Sequence, residues 1–318
     1  MQMEQTKVYD CLILGGGIAG LQAAIQLGRY SAHQVLVIDA GFGRSTLCQQ
    51  YHNLLGFPEG ISGQELRNRG RRQAESYGVE FVLDTVTGAE KREGRFQVVT
   101  LSGTGYTGKT VLLATGVLDR FPNVPGMVPT LGLSVYVCPD CDGYEIQDRK
   151  TVLMGAGRTG AEMALLLAER TRDLTYINHE RSDVAPELLH LMAEREIRYE
   201  EGEIVEVQHT EGFIRSVMLK DGRSFAAERG FIAFGGNEVH SRLAAQLGIP
   251  ISGNRHVETD PRTKQTSVPG VWAAGDLGVH AEQVSVAMGE GSIAAIWIHK
   301  ALSPCYNQLN GGDVEDDS

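Results

Sequence analysis

The sequence predicts an α/β protein built from two Rossmann-type, three-layer domains, and three observations support this prediction. The chain has 318 residues, which is the length of about two ordinary domains. It contains 39 glycines, about twice the usual share of ~7%. Two segments repeat one pattern, in which an apolar strand runs into a glycine-rich turn that opens a helix. Because glycine is favoured where backbone turns tightly or approaches a ligand, these segments indicate nucleotide sites.

The first repeat lies near the amino terminus and has the spacing G-x-G-x-x-G. Its elements are a predicted strand 8–14, a helix 19–27 and a second strand 34–38. The glycines are Gly15, Gly17 and Gly20, and Asp39 follows the second strand. Such glycines let the backbone turn and approach a pyrophosphate, the helix amino terminus attracts phosphate, and the acid binds a ribose. We therefore predict a dinucleotide site here, rather than a plain strand-to-helix turn.

The second repeat has the same glycine spacing but lacks the acid. A predicted strand 151–154 leads into Gly155, Gly157 and Gly160, and a further strand follows at 174–177. Asn178 stands where the first repeat has its ribose-binding carboxylate. Two such repeats in one chain are the usual plan of an enzyme that uses a flavin and a nicotinamide nucleotide.

Two more predicted strands end in small residues. The first, 110–113, is followed by Ala114, Thr115 and Gly116, and the second begins at 271 and carries Gly275 and Asp276 at its carboxyl end. In open α/β sheets, ligands bind at the carboxyl ends of the strands. A helix over 283–302 is predicted to follow.

Composition and charge exclude several classes of protein. Forty acidic side chains stand against 29 basic ones, for a formal charge of −11, which argues against nucleic acid as the main partner. No apolar run approaches the ~18 residues of a membrane span. The amino terminus has no export-signal pattern, and the cysteine count of five is odd, so no disulfide framework is expected. These features predict a cytoplasmic protein that does not enter a membrane.

Cys138 and Cys141 form a C-x-x-C pair, which has three interpretations: a redox pair, half of a zinc site, or two unconnected thiols. Zinc needs about four ligands at close spacing, and the other cysteines are scattered. At the start of a helix, the first thiol of such a pair has a lowered pKa and exchanges disulfides readily. We therefore predict a redox pair and no metal.

The order of these motifs resembles that of the low-molecular-weight thioredoxin reductase family. The most specific stretch is Cys-Pro-Asp-Cys-Asp-Gly-Tyr at 138–144, which stands just ahead of the second repeat, as in that family. The resemblance implies that a nicotinamide-type domain carrying the C-x-x-C pair, residues 118–244, is inserted into an FAD domain. The FAD domain would consist of 1–117 and 245–318, the latter ending in an acidic tail.

The resemblance also implies which residues hold FAD. Gly15, Gly17 and Gly20 would bind its pyrophosphate, Asp39 its adenosine ribose and Asp276 its ribityl chain. The backbone of Gln283 and Val284, at a helix start that favours an anion, would meet the pyrimidine edge of the flavin. The remaining candidates are Asn53, Ala114, Thr115, Gly116 and Gly275.

By the family pattern, Cys138 exchanges with the substrate disulfide, Cys141 faces the flavin, and Asp142 protonates the departing thiolate. A carboxyl needs burial to act as an acid near pH 7; the alternative is an Asp142 that only satisfies helix amides. The leading hypothesis is that the protein reduces thioredoxin or a thioredoxin-like protein. The resemblance also implies a homodimer. The alternatives are an NADPH-dependent thioredoxin reductase, a flavin-dependent dithiol oxidase that uses oxygen, and a flavin-sensing binding protein.

The electron donor is where the sequence departs from the family. NADPH-using members carry His-Arg-Arg after the second strand of the nicotinamide domain, because two guanidinium groups grip the 2′-phosphate. Here Asn178, His179, Glu180 and Arg181 occupy that stretch, and Glu180 repels phosphate. We therefore predict that NADPH binds poorly or not at all and that another donor, such as ferredoxin, reduces the flavin.

Two further groups of residues each have a structural and a functional interpretation. Four arginines at 67, 69, 71 and 72 are interpreted first as a solvated helix face, and second as a docking surface for an acidic protein. Trp297 and His299, near the end of the last helix, are interpreted as packing residues, with contact to a flavin as the alternative.

Overall fold

The computed structural model describes residues 7–279, 281–304 and 306, and within these it confirms the predicted α/β class. The helices are α1 Ile18–Arg29, α2 Arg44–Leu47, α3 Gly63–Glu75, α4 Met127–Thr130, α5 Pro139–Asp142, α6 Gly157–Leu167, α7 Pro186–Glu194, α8 Arg242–Gln246 and α9 Val284–Leu302, with a 3-10 helix at Gly143–Ile146. Most of the acidic tail after Pro304 lies outside the described residues.

The strands of the two repeats lie within one residue of the predicted bounds, whereas the strand predicted to begin at 110 begins at Gly105. The strands are β1 Val8–Leu14, β2 Val35–Asp39, β3 Glu80–Leu83, β4 Val86–Arg92, β5 Arg95–Thr100, β6 Gly105–Leu113, β7 Val117–Leu118, β8 Val135–Tyr136, β9 Thr151–Gly155, β10 Leu174–Asn178, β11 Arg198–Glu201, β12 Ile204–Thr210, β13 Phe213–Leu219, β14 Ser224–Ala226, β15 Arg229–Ala233, β16 Glu238–Val239 and β17 Val271–Ala273.

The chain divides into two compact units. The first unit contains the described residues up to Ser45, Glu65–Leu118 and those from Val239 onward; the second contains Thr46–Gln64 and Asp119–Glu238. Segment Thr46–Gln64 thus joins the unit that carries the C-x-x-C pair, although the sequence places it beside the first repeat. No helix of the described residues has both the length and the apolar character that a membrane crossing requires.

The first unit is built on one mixed sheet. Its strand order is β3-β2-β1-β6-β5-β4, with β17 also paired to β6. Strands β1, β2, β3, β6 and β17 pair in parallel, whereas β4 and β5 are antiparallel neighbours. Helices α1 and α9 cover one face, where the core includes Ile13, Leu112, Trp272 and Ile298. The carboxyl ends of β1, β6 and β17 therefore lie side by side.

The second unit has a parallel sheet of order β11-β10-β9-β15-β8. Residues of α6 and α7, among them Ala164, Leu167 and Met192, share a buried core with Leu153 and Tyr176 of the sheet. On the other core side, residues of the antiparallel sheet β12-β13-β14 pack with β9 and β10. The third layer of this unit is therefore a small β-sheet rather than the helices of a symmetrical Rossmann domain.

Close packing of α1 against α9 depends on a glycine, and this gives a first testable prediction. A Cβ atom on Gly291 would lie 2.3 Å from the carbonyl oxygen of Ala19, whereas one on Gly289 in the same helix would meet nothing within 4 Å. Gly291→Ala is expected to destabilise the protein by roughly 1–3 kcal/mol through overpacking. The matched change Gly289→Ala should be neutral, or stabilise by up to about 1 kcal/mol, because alanine favours helix. Urea-unfolding midpoints compare the two; equal effects would contradict the packing.

Candidate redox and nucleotide sites

The C-x-x-C pair is a disulfide at the start of α5. Cys138 is the extended residue that precedes the helix, and Pro139 occupies its first turn, where a missing N–H costs nothing. The turn brings the Cα atoms of Cys138 and Cys141 to 5.3 Å, and the two sulfurs are bonded. The amide of Cys141 donates to the Cys138 sulfur over 3.1 Å. Such a donor stabilises a thiolate once the bond is reduced.

Asp142 follows the dithiol directly and is half-buried. Burial raises the pKa of its carboxyl to about 7, and the negative charge of Glu145 adds to the effect. As the residue preceding the 3-10 helix, Asp142 makes no side-chain capping bond. This geometry favours an acid that gains or loses a proton near neutral pH over a carboxylate that satisfies amides.

The raised pKa of Asp142 gives a prediction about stability. Its folded-state pKa of about 7 lies above the ordinary value of 3.8, so the folded state binds more protons than the unfolded state between these pH values. Stability is therefore lost as pH rises from about 4 to above 7. Asp142→Asn removes this dependence. The free energy of unfolding that the variant gains over the wild type should therefore be larger at pH 8 than at pH 4, by on the order of a few kcal/mol.

Thermal unfolding of Asp142→Asn and of the wild type across pH 4–9 measures this difference. Asp140→Asn, an exposed carboxylate in the same turn, controls for the loss of one charge. Parallel pH profiles of the wild type and Asp142→Asn would contradict the assignment.

Segment Thr46–Gln64 places further side chains near Asp142, and no motif in the sequence indicates them. Burial, with the charge of Asp142 as a second cause, raises the pKa of the Cys48 thiol to about 12, so Cys48 stays protonated. His52 places its Nδ1 atom 3.8 Å from a carboxylate oxygen of Glu145. Some ninety residues separate His52 from Glu145 in the sequence, and no local pattern predicts such a contact.

The first glycine loop has the form predicted for a nucleotide site. Gly15 has φ +112°, and a Cβ atom there would lie 2.3 Å from the carbonyl oxygen of Ala114. A Cβ atom on Gly20 would lie 2.0 Å from the carbonyl oxygen of Gly15. Gly17 precedes α1, and a Cβ atom on it would meet nothing within 4 Å. The loop is thus tightly packed behind and open in front, which fits the pyrophosphate of FAD.

Asp39 lies beside this loop and is held by a buried arginine. One carboxylate oxygen accepts from the amides of Gly16 and Gly41, over 3.3 and 3.2 Å, and the other pairs with Arg67 at 2.7 Å. Arg67 is only 6% exposed, so its interpretation as part of a solvated face is wrong. The other three arginines of that cluster are exposed and pair with Glu65 or Glu75.

The remaining FAD candidates of the first unit lie after β6, after β17 and at the start of α9. The amide of Ala114 donates to Leu14, while that of Gly275 donates to the buried Glu290 over 3.0 Å. Asp276 pairs with Arg44 at 3.0 Å. The other candidates have these positions: Thr115 donates its hydroxyl to His240, Gly116 has φ +67°, Gln283 precedes α9 and Val284 begins it.

Asn53, His299 and Trp297 lie outside the glycine loops and the strand ends. Asn53 is exposed and belongs to the second unit, so its role toward FAD stays a prediction. The ring of His299 stacks on Tyr30 at 3.7 Å and its Nδ1 lies 2.8 Å from His33. Trp297 lies under the ammonium group of Lys300 at 4.3 Å. These contacts are the packing role predicted for both side chains.

The second glycine loop differs from the first because other residues of the chain lie close to its middle glycine, Gly157. A Cβ atom on Gly157 would lie 3.0 Å from the Cβ of Ser182 and 3.3 Å from the carbonyl oxygen of Asp183. The amide of Gly157 donates to the side chain of Asn178 over 3.0 Å. A side chain at Gly157 would therefore contact Ser182 and Asp183, whereas one at Gly17 would contact nothing.

Side chains around the ends of β10 and β15 bind to one another. Asn178 is fully buried, and its amide group donates to Ser182 and Tyr199 over 2.7 and 3.0 Å. Arg120 pairs with Glu180 at 2.6 Å and donates to the carbonyl oxygens of Phe234 and Gly235 over 2.6 and 2.7 Å. Burial lowers the pKa of His179, whose Nδ1 accepts from the amide of Ile204.

Comparison with known proteins agrees with this geometry. Residues 9–291 match the family model described as pyridine nucleotide-disulphide oxidoreductase. A thioredoxin reductase of Treponema pallidum is 31% identical and aligns over 93% of this chain and 96% of its own length. That of Mycolicibacterium smegmatis is 29% identical, over 93% and 97%. The crystal structure of thioredoxin reductase from Streptococcus pyogenes superposes with a TM-score of 0.81 at 27% identity, covering 93% and 98%.

These matches confirm the family resemblance, the enzyme class and the FAD cofactor predicted from the sequence. The chain belongs to the pyridine nucleotide-disulphide oxidoreductase family, as a flavoprotein disulfide oxidoreductase of the low-molecular-weight thioredoxin reductase type.

Proposed function

We propose that this protein reduces the disulfide of thioredoxin or of a thioredoxin-like protein through Cys138 and Cys141. The observation that carries the proposal is the disulfide at the start of α5, followed directly by a carboxyl whose pKa is raised to about 7. Relatives of nearly the same length are named thioredoxin reductases. Bound FAD would supply the electron pair, held by the open loop at Gly17 together with Asp39 and Asp276.

The dithiol chemistry follows from the positions of three side chains. The thiolate of Cys138, stabilised by the amide of Cys141, attacks the partner's disulfide and forms a mixed disulfide. Cys141 then attacks the Cys138 sulfur and releases the partner. In sum, one thiolate, one thiol and one proton convert the partner's disulfide into two thiols and leave the Cys138–Cys141 disulfide. Asp142 supplies that proton to the departing sulfur.

A single-turnover experiment tests this function. The protein is reduced anaerobically with dithionite, freed of excess reductant and mixed with oxidised thioredoxin, whose thiols are then counted. Thiols should appear on thioredoxin as the flavin reoxidises. Reoxidation without new thiols would overturn the proposal. A separate aerobic assay with reduced thioredoxin tests the alternative: if oxygen were consumed while the dithiol of thioredoxin became a disulfide, the protein would be a dithiol oxidase.

We further propose that NADPH is a poor electron donor and that another protein, such as ferredoxin, reduces the flavin. Three contacts support this. Ser182 and Asp183 stand where a pyrophosphate would approach Gly157, and Asn178 already binds the amide of Gly157. Glu180, paired with Arg120, keeps a negative charge beside the place of a 2′-phosphate.

The organisation of the protein is proposed on the same family grounds. The first unit would be the FAD domain and the second the nicotinamide-type domain, in a cytoplasmic homodimer. Light scattering at working concentration tests the dimer.

A further inference from the structure

Asp142 needs a route by which it regains protons. It is half-buried, and in the proposed reaction it gives up one proton for each disulfide reduced. A carboxyl that exchanges slowly with water would limit turnover above its pKa. The side chains around it therefore decide whether the proton returns.

Glu145 lies on the same side of the chain as Asp142. Asp142 precedes the 3-10 helix Gly143–Ile146, and Glu145 lies three residues further on within it, a spacing that puts side chains on one side of such a helix. The negative charge of Glu145 also contributes to raising the pKa of Asp142. The side chain of Glu145 is 23% exposed, so it is in contact with water.

His52 completes this line from the segment Thr46–Gln64. Its side chain is 31% exposed and its Nδ1 lies 3.8 Å from Glu145. That nitrogen is buried and has no hydrogen-bond partner among the described residues, which is costly unless a partner is reached during function. A shift of about 1 Å would bring it within hydrogen-bond distance of Glu145.

The other groups around Asp142 are not suited to carry protons. Cys48 stays protonated because burial raises the pKa of its thiol. Burial also raises the pKa of Tyr136, whose hydroxyl donates to Leu133. Two arginines are also near: Arg229 interacts with Tyr136, and the side chain of Arg170 lies near Gly143. A guanidinium group has only donors and does not pass protons on.

We propose that Glu145 and His52 form a proton relay that recharges Asp142 after each disulfide exchange, an inference that rests on the function proposed above. Asp142 loses its proton to the departing sulfur and takes another from Glu145. Glu145 is reprotonated by the imidazolium of His52, which takes its proton from water or buffer. No electron moves in these steps, and one proton enters for each disulfide reduced.

The test compares His52→Asn and Glu145→Gln with matched controls His190→Asn and Glu194→Gln. The controls change a second, exposed His–Glu pair of the same unit, 3.3 Å apart. Each dithionite-reduced protein is mixed with oxidised thioredoxin between pH 6 and 9, with and without imidazole. His52→Asn should slow thiol formation at pH 8 by about tenfold, and imidazole should restore the rate in proportion to its concentration. The controls should behave as the wild type.

A second arm needs no partner and separates this inference from the proposed function. The infrared band of the protonated Asp142 carboxyl, assigned by its absence in Asp142→Asn, is followed against pH. Glu145→Gln should lower its midpoint by about one pH unit, because a like charge is removed. An unchanged infrared midpoint in Glu145→Gln would overturn the relay. So would thiol formation in His52→Asn at pH 8 that is as fast as in the wild type, or that is insensitive to imidazole. If the wild type itself forms no thiols on thioredoxin, the proposed function fails, and the infrared arm still decides the coupling.

Discussion

Cys138→Ser is expected to lose reduction of a protein disulfide by several orders of magnitude, because the attacking thiolate is removed. The flavin should remain bound, since Cys138 belongs to the second unit and the residues proposed for the FAD pyrophosphate and ribose belong to the first. Cys141→Ser should also stop turnover, but it leaves Cys138 able to attack. This variant should accumulate a mixed disulfide with thioredoxin, which no second thiol resolves.

Visible spectra give the flavin content of both variants, and non-reducing electrophoresis with mass spectrometry detects the mixed disulfide. Cys48→Ser is the matched control, because Cys48 is an unpaired thiol of the same unit; it should retain turnover. Full turnover in either Cys138→Ser or Cys141→Ser would show that this dithiol is not the redox centre.

The second large effect concerns the donor: micromolar NADPH should leave the flavin oxidised under anaerobic conditions in which dithionite bleaches it fully. Two features of the second unit, a covered glycine loop and a negative charge, should prevent reduction by NADPH. Ser182 and Asp183 cover Gly157, and Glu180 repels the 2′-phosphate. NADH is expected to fail as well, because Asn178 is buried and bound to Ser182 and Tyr199.

Glu180→Gln separates the two causes, since it removes the charge and leaves the cover in place. We expect only a small gain in NADPH-driven bleaching from this change. Rapid, stoichiometric bleaching of the wild type by low-micromolar NADPH would contradict the proposal, whereas a large gain in Glu180→Gln would assign the effect to charge alone.

Local patterns in the sequence predicted much of the fold. The strands and glycine loops follow spacings of a few residues, and Gly15 and Gly20 are packed against backbone. The same letters did not distinguish the two loops, however. Gly17 is open and Gly157 is covered because of a segment that folds back from 25 residues further along the chain, and spacing within a motif carries no information about it.

The candidate redox site was predictable only in part for the same physical reason. Cys138, Cys141 and Asp142 are adjacent in the sequence, so their motif identifies them. His52 and Glu145 meet through tertiary packing. Arg67 was grouped with three neighbouring arginines, yet it is buried against Asp39, because residues of one helix face different sides.

Electron exchange between FAD and the Cys138–Cys141 dithiol is tested most directly by an anaerobic titration with dithionite that counts electrons per flavin. If Cys138 and Cys141 exchange electrons with FAD, the wild type should take up one electron pair for the flavin and a second pair for the disulfide. Cys138→Ser should take up the flavin's pair alone. A wild type that accepts only one pair, or a Cys138→Ser variant that still accepts the second, would contradict the account.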